Sequence, residues 1–209
     1  MPSTTTTARG AVAFARHTLS GLQMLIAFTV VLGLLYPVAV TAVGQLAMPW
    51  QANGSLVRAD GSRAEGREDG EVVGSLLMAQ GFEGPEWFHP RPSAADYDTL
   101  ASGGSNLGPE SPELVAAIEE RRASVAADNG VPVSAVPADA VTASSSGLDP
   151  HISPAYARLQ VERVASARGL PVEQVEALVR EHSAARALGV LGDPRVHVLS
   201  LNLELDALG

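Results

Sequence analysis

Between Arg16 and Arg58 the chain carries no Asp, Glu, Lys or Arg. That gap constrains the chain more than any other feature. Within it, residues 19–47 are dominated by Leu, Val, Ile, Ala, Phe and Gly. A helix needs about 20 apolar residues to cross about 30 Å of hydrocarbon, so this stretch predicts one transmembrane helix at 19–47. Arg9 and Arg16 are the only basic residues before Arg58. They flank the N-terminal side, and by the positive-inside rule residues 1–18 are expected in the cytoplasm and the large remainder outside. Trp50 falls where an interfacial aromatic belt would lie. Pro37 removes a backbone donor inside the span and predicts a kink. Gly33, Pro37 and Gly44 are the expected packing positions, because small residues let a neighbouring helix approach closely. A cleaved signal peptide is the competing reading. Ala42-Val43-Gly44 is a passable small-x-small cleavage site, but the apolar run is roughly twice the length such a peptide uses. One span cannot by itself form a conduction path, so a role in transport would be that of a subunit.

Composition excludes several chemistries. The chain has no cysteine, hence no disulfide, thiolate nucleophile or zinc-thiolate site. All 14 basic side chains are arginine, so the lysine of a Walker-type phosphate loop or of a Schiff base is missing. From Arg58 onward, 12 arginines face 23 carboxylates, a net charge of −11. Such a surface repels nucleic acid.

The segment 48–70 reads as a polar, Gly-rich linker or hairpin loop, and 71–209 as one extracytoplasmic α+β domain of sufficient length for a core. Glu71 to Phe82, interrupted by Gly74 and Gly81, suits a strand. Ser111-Pro112-Glu113 and Ser153-Pro154 carry the same helix-start signal, Ser as cap and Pro in the first turn. Asn129-Gly130 and Gly169 are the matching stops. Val172, Val175, Leu178 and Val179 predict a buried stripe on a helix after Pro171. On the preceding helix, Arg158, Glu162 and Arg163 are expected on the outer face. The near-alternation from Val196 to Leu205 predicts a terminal strand.

Two loops carry the strongest functional signal: ASGGSNLGP at 101–109 and VTASSSGLDPHISP at 141–154. Gly supplies backbone freedom, while Ser, Asn and Asp bond the local backbone, and long polar loops tend to carry function. The candidate residues are Ser102, Gly103, Gly104, Ser105, Asn106 and Gly108 in the first, and Asp149, His151 and Ser153 in the second. A membrane-anchored exported serine hydrolase is one reading of these serines beside Asp149 and His151. The G-x-S-x-G elbow is absent, however, and Asp149-Pro150-His151 places acid and base too close in sequence for the usual triad. His89, His151, His182 and His197 show no metal-ligand spacing, and no metal site is expected. Arg91 and Arg195 each adjoin a proline. Either an external carboxylate or an internal salt bridge would suit them.

Taken in order, these segments resemble the C subunit of the Kdp-type potassium-transporting P-type ATPase. The resemblance rests on Tyr36-Pro37 in the single span, Gly74-Ser75 with Leu77, Gln80 and Phe82, and Arg91-Pro92-Ser93-Ala94. It continues through SGGSNLGP at 102–109, SGLDPHISP at 146–154, Gln160-Val161 with Arg163-Val164-Ala165, Ala167 to Leu170, Pro194-Arg195-Val196 and Leu201-Asn202-Leu203. Ala79, Trp87, the stretch 182–186 and His197 depart from the family pattern, which has Asn at the last. The resemblance implies a non-catalytic accessory subunit of a high-affinity potassium uptake complex in the bacterial inner membrane. Its implied partners are a channel-like subunit, a P-type ATPase subunit and membrane lipid. ATP and potassium would be handled by the complex, with no cofactor bound to this chain. The family is described as a catalytic chaperone that raises the pump's ATP affinity.

Overall fold

The computed structural model describes residues 4–66, 68 and 70–208, with side chains from Gly10 onward. It divides into two compact units, one ending at Ala52 and the other beginning at Asn53.

The first unit is helical: α1 (Thr4–Val30), a π-helical turn (Val31–Leu35), α2 (Tyr36–Ala47) and the short α3 (Pro49–Ala52). The stretch Gly10–Ala47 is long and apolar enough to cross a membrane. Its large apolar side chains are exposed, Leu25 at 65% and Leu46 at 87%. That exposure is consistent with a single-pass membrane anchor. The helix starts earlier than the expected span and carries Arg16 within it; the side chain of Arg9 lies outside the described residues. Where a Pro37 kink was expected, the ladder widens just before it. Pro37 has no N–H for the carbonyl one α-turn back, and the Tyr36 N–H bonds the Val31 carbonyl, five residues away.

The second unit mixes helices with very short strands, as the α+β expectation required. Strand β1 (Leu56–Arg58) lies inside the segment read as linker or hairpin loop and pairs antiparallel with β2 (Val72–Ser75). Strands β3 (His151–Ile152), β4 (Ser183–Ala184) and β5 (Arg195–His197) form an antiparallel sheet in the order β3-β5-β4. Around them lie α4 (Pro112–Asp128), α5 (Pro154–Arg168), α6 (Val172–Glu181) and α7 (Val198–Asp206). The helix-start signals act as read: Ser111 Oγ accepts from the Leu114 N–H and Ser153 Oγ from the Tyr156 N–H. Gly169, at φ 64°, closes α5 in the left-handed conformation that favours glycine. The core joins Ala157, Val161 and Val164 of α5 to Val175 and Val179 of α6, with Val196, Leu201, Leu205 and Phe88 packed among them.

Four expectations need correction. The terminal strand stops at His197, and Val198–Asp206 is helix α7. Its buried residues Val198, Leu201, Asn202 and Leu205 recur at helical spacing, and the His197 ring nitrogen caps the helix by accepting from the Ser200 N–H. Val172 is 38% exposed, so the α6 stripe begins at Val175. In Glu71 to Phe82 only Val72–Ser75 is strand. Arg163, expected on an outer face, is half-buried. It donates to the carbonyls of Pro85 (2.6 Å) and Trp87 (3.0 Å), to Asn129 Oδ1 (3.0 Å) and to Gln160 Oε1 (2.7 Å).

Candidate functional site

The structure brings the two polar loops together. The Gly103 N–H donates to the Ser146 carbonyl (2.9 Å), and Ser102 Oγ donates to the same oxygen (3.0 Å). The approach needs glycine on both sides. A Cβ on Gly104 would lie 2.9 Å from the Ser145 carbonyl oxygen, and one on Gly147 would lie 2.9 Å from that of Gly103. Gly147 also sits at φ 70°, where an L side chain is strained. By contrast, Gly108 has open space where a side chain would go.

A third segment pins both loops. Ser93 Oγ donates to the Gly147 carbonyl (2.8 Å) and accepts from the Ala95 and Tyr97 N–H groups. Those bonds hold Asp96 and Tyr97 in consecutive left-handed conformations, φ 47° and 59°. The Tyr97 hydroxyl donates back to the Arg91 carbonyl (2.9 Å). The Ser144 N–H donates to the Pro92 carbonyl, and the Ala79 N–H to that of Leu148, each at 2.9 Å.

Asp149 is the electrostatic centre. Its Oδ2 receives Arg91 Nη1 at 3.1 Å, while Oδ1 accepts from the His151 N–H at 3.0 Å and lies 3.5 Å from His151 Nδ1. The nearby His151 side chain is the largest influence holding the Asp149 carboxyl below its usual range; partial burial opposes it, and the bonds from the His151 backbone and Arg91 add to it. Of the two partners open to Arg91, the structure supplies the internal one. The His151 ring meets the His197 ring edge-on at 5.1 Å between centroids. Because His197 Nδ1 accepts from Ser200, its Nε2 carries the proton and donates to the Leu76 carbonyl (2.8 Å). Burial is the main cause of the depressed His197 pKa, and the neighbouring His151 and His182 push the same way.

Ser153 caps α5 and is itself anchored, its N–H and hydroxyl both donating to the Asp139 carboxylate (2.7 and 2.9 Å). Ser105, Asn106 and Gly108 stay exposed on the first loop. Asn106 takes φ 54°, a conformation Asn tolerates better than most residues. Gly33 lies in the π-helical turn and Gly44 in α2, both in the first unit.

No hydrogen bond joins a serine hydroxyl to His151 among the described residues. Ser144 and Ser146 bond each other at 3.2 Å, and their oxygens accept from the Asp149 and Leu148 N–H groups. These serines hold loop shape. Gln160 and Asn202, named in the sequence only as part of the resemblance, are buried amides with a structural task. Asn202 and Gln160 each clamp a residue of the loop before Pro90, at Phe88 and His89 respectively. An amide at an interior helix position was the available signal.

The family model described as "K+-transporting ATPase, c chain" matches residues 18–207. A potassium-transporting ATPase KdpC subunit of Kineococcus radiotolerans is 55% identical over 193 residues, covering 91% of this chain and 93% of that protein. The KdpC subunit of Beijerinckia indica is 51% identical over 185 residues, 88% of this chain and 89% of its own length. That of Mycobacterium tuberculosis is 49% identical over 196 residues, 92% of this chain and 99% of its own. With one long apolar helix among the described residues and a mixed helix-and-sheet domain, the chain belongs to the KdpC family, the non-catalytic c chain of potassium-transporting ATPases.

Proposed function

We propose that the chain serves its pump as an assembly and coupling subunit, using the paired loops at 101–109 and 141–154 as the partner-facing surface. The observation that carries this reading is the contrast within the first loop. Its backbone is bolted to the second loop through Ser146, yet Ser105, Asn106 and Gly108 remain exposed. A rigid, outward-facing loop loses little freedom when it docks. The Arg9 and Arg16 flank supports a cytoplasmic N-terminus with residues 51–209 outside, in the bacterial inner membrane. The channel-like and P-type ATPase subunits are then the natural partners, and lipid surrounds the helix.

Any rise in the pump's ATP affinity arises in this reading through coupling across the assembled helices. Only about 18 residues would be on the nucleotide side, and they hold two arginines and no phosphate cradle. Calorimetry on the purified full chain in detergent is expected to show no tight ATP binding, while the assembled complex shows a higher ATP affinity with the subunit than without it. Micromolar ATP binding to the chain alone would replace indirect coupling with direct contact. For the loops, an Asn106→Asp variant, whose side chain also tolerates the positive φ at this position, is expected to reduce recovery of intact complex without lowering the thermal stability of the chain. Loss of stability instead would make the loop structural.

A further inference from the structure

Beside the paired loops, but built from other residues, lies an open cleft of about 590 Å³, within the usual size of ligand pockets. Phe82, Pro90, Pro92, Tyr97, Val125 and Tyr156 supply an aromatic and proline-rich lining. Tyr156 is only 4% exposed. Its hydroxyl has no hydrogen-bond partner among the described residues, yet it is not fully enclosed, so it opens to the cleft. A buried phenol ordinarily finds a partner. Burial also raises its pKa, so it remains a neutral donor. His89 lines the same cleft. Its Nε2 donates to the Gly84 carbonyl at 2.8 Å, which leaves Nδ1 as an acceptor.

The charged groups of the cleft are unequal. Glu83 and Asp96 are exposed and make no ion pair among the described residues. Arg121 is half-buried and already committed to the Val141 carbonyl at 3.2 Å. Two free carboxylates beside aromatic faces suit a cation whose aliphatic stem lies on the rings. A hydroxyl donor and an imidazole acceptor suit the N–H and C=O groups of a peptide main chain.

We propose that this cleft binds an extended segment of another pump subunit, a segment that presents a Lys or Arg next to an apolar or proline residue. The proposal rests on the reading of the chain as an assembly subunit. In it, Tyr156 donates to a main-chain carbonyl of the segment, the Tyr97 and Phe82 faces take its apolar side chain, and Glu83 and Asp96 hold its basic one. The strained Asp96–Tyr97 turn fixes the wall against which the segment lies. Gly81 permits this, since a Cβ there would come within 3.2 Å of the Tyr97 ring.

The test uses the full chain in detergent, applied to an array of synthetic 12-residue peptides tiling the partner subunits. Binding is expected at one or a few peptides that carry Lys or Arg beside an apolar residue or proline. Tyr156→Phe should weaken it about three- to tenfold and the pair Glu83→Gln/Asp96→Asn more than tenfold, while the charge-matched control pair Glu173→Gln/Glu176→Gln, exposed and outside the cleft, leaves it unchanged. Thermal unfolding of each variant is recorded, and Tyr156→Phe should melt within a degree or two of the parent. Peptide binding indifferent to these changes, or no peptide bound at all, overturns the proposal. Equal variant-sensitive binding of tetramethylammonium alone would assign the cleft to a free organic cation and overturn it too. Co-purification of the unmodified chain with its pump separates the two levels. If co-purification holds and the array is blank, only the cleft is wrong; if co-purification fails, the assembly reading falls with it.

Discussion

The side-chain amide of Asn202 closes two hydrogen bonds on the backbone of one residue, Phe88: it accepts from the N–H and donates to the C=O, each at 2.9 Å. Both residues are fully buried, and 114 positions separate them in sequence. Gln160 does the same one residue later, accepting from the His89 N–H at 2.7 Å and donating to its carbonyl at 3.2 Å. Two side chains thus do for this loop what a neighbouring strand does elsewhere. Asn202→Leu would orphan a buried donor and a buried acceptor. At roughly 1–3 kcal/mol for each unsatisfied group, we predict a loss of about 2–5 kcal/mol, read by denaturant unfolding of the full chain in detergent. A loss below 1 kcal/mol would show that water replaces the amide.

Gly147 and Gly108 should respond oppositely to the same substitution. Gly147→Ala forces a methyl group against the Gly103 carbonyl at a positive φ, and about 1–3 kcal/mol of stability should go. Gly108→Ala meets nothing within 4 Å and should be close to neutral. Comparable melting of the two variants would mean that the loops are not in contact in solution.

Stability should fall on mild acidification because of His197 and His89. Both are held below the ordinary histidine pKa, chiefly by burial. The unfolded chain therefore takes up protons first, and stability present above about pH 6.5 is lost progressively as pH falls through the folded values. His197→Asn, which keeps an oxygen able to cap α7, should flatten the stability profile between pH 7 and 5 relative to the parent. An unchanged slope would exclude His197 as its source. Asp149 acts in a lower window. Its folded pKa is depressed, so its contribution is present above about pH 4 and disappears below. The stability gap between the parent and Asp149→Asn should close as the solution is made more acidic than that.

The membrane-type helix is expected to do more than tether. Gly33→Leu or Gly44→Leu should lower co-purification of the pump subunits while membrane insertion, read by alkaline extraction, stays intact. Potassium-limited growth at the normal rate with a poly-Leu span would show that the helix serves only as an anchor.

Local signals in the sequence were accurate where one residue decides the outcome. Ser111 and Ser153 cap, Gly169 stops, and the charge gap marks the long helix. The terminal segment misled because Leu199, Leu201, Leu203 and Leu205 alternate as a strand would. The burial of Val198, Leu201, Asn202 and Leu205 follows the other period present in the same residues, and tertiary packing chose between them. Arg163 looked solvent-facing because its acceptors, Pro85 and Trp87, lie about 78 positions away. The Asp149 centre was half legible: Arg91 was marked as awaiting a carboxylate, but no pattern in the sequence says which one. The cleft was not legible at all, since its lining comes from five separate stretches of chain.

The strands here are at most four residues long, so little of the domain is stitched by ladders. Its loops are held instead by the side chains of Asn202, Gln160, Ser93 and Asp139, each bonded to backbone of another stretch of the chain. A loop secured in this way has no private route to melting. Its amide hydrogens at Phe88, His89 and Ser153 are expected to exchange with solvent only when the core that carries those side chains opens. The clock of the outer surface is then the clock of the interior, and a partner that grips the rim slows the opening of the whole domain by mass action.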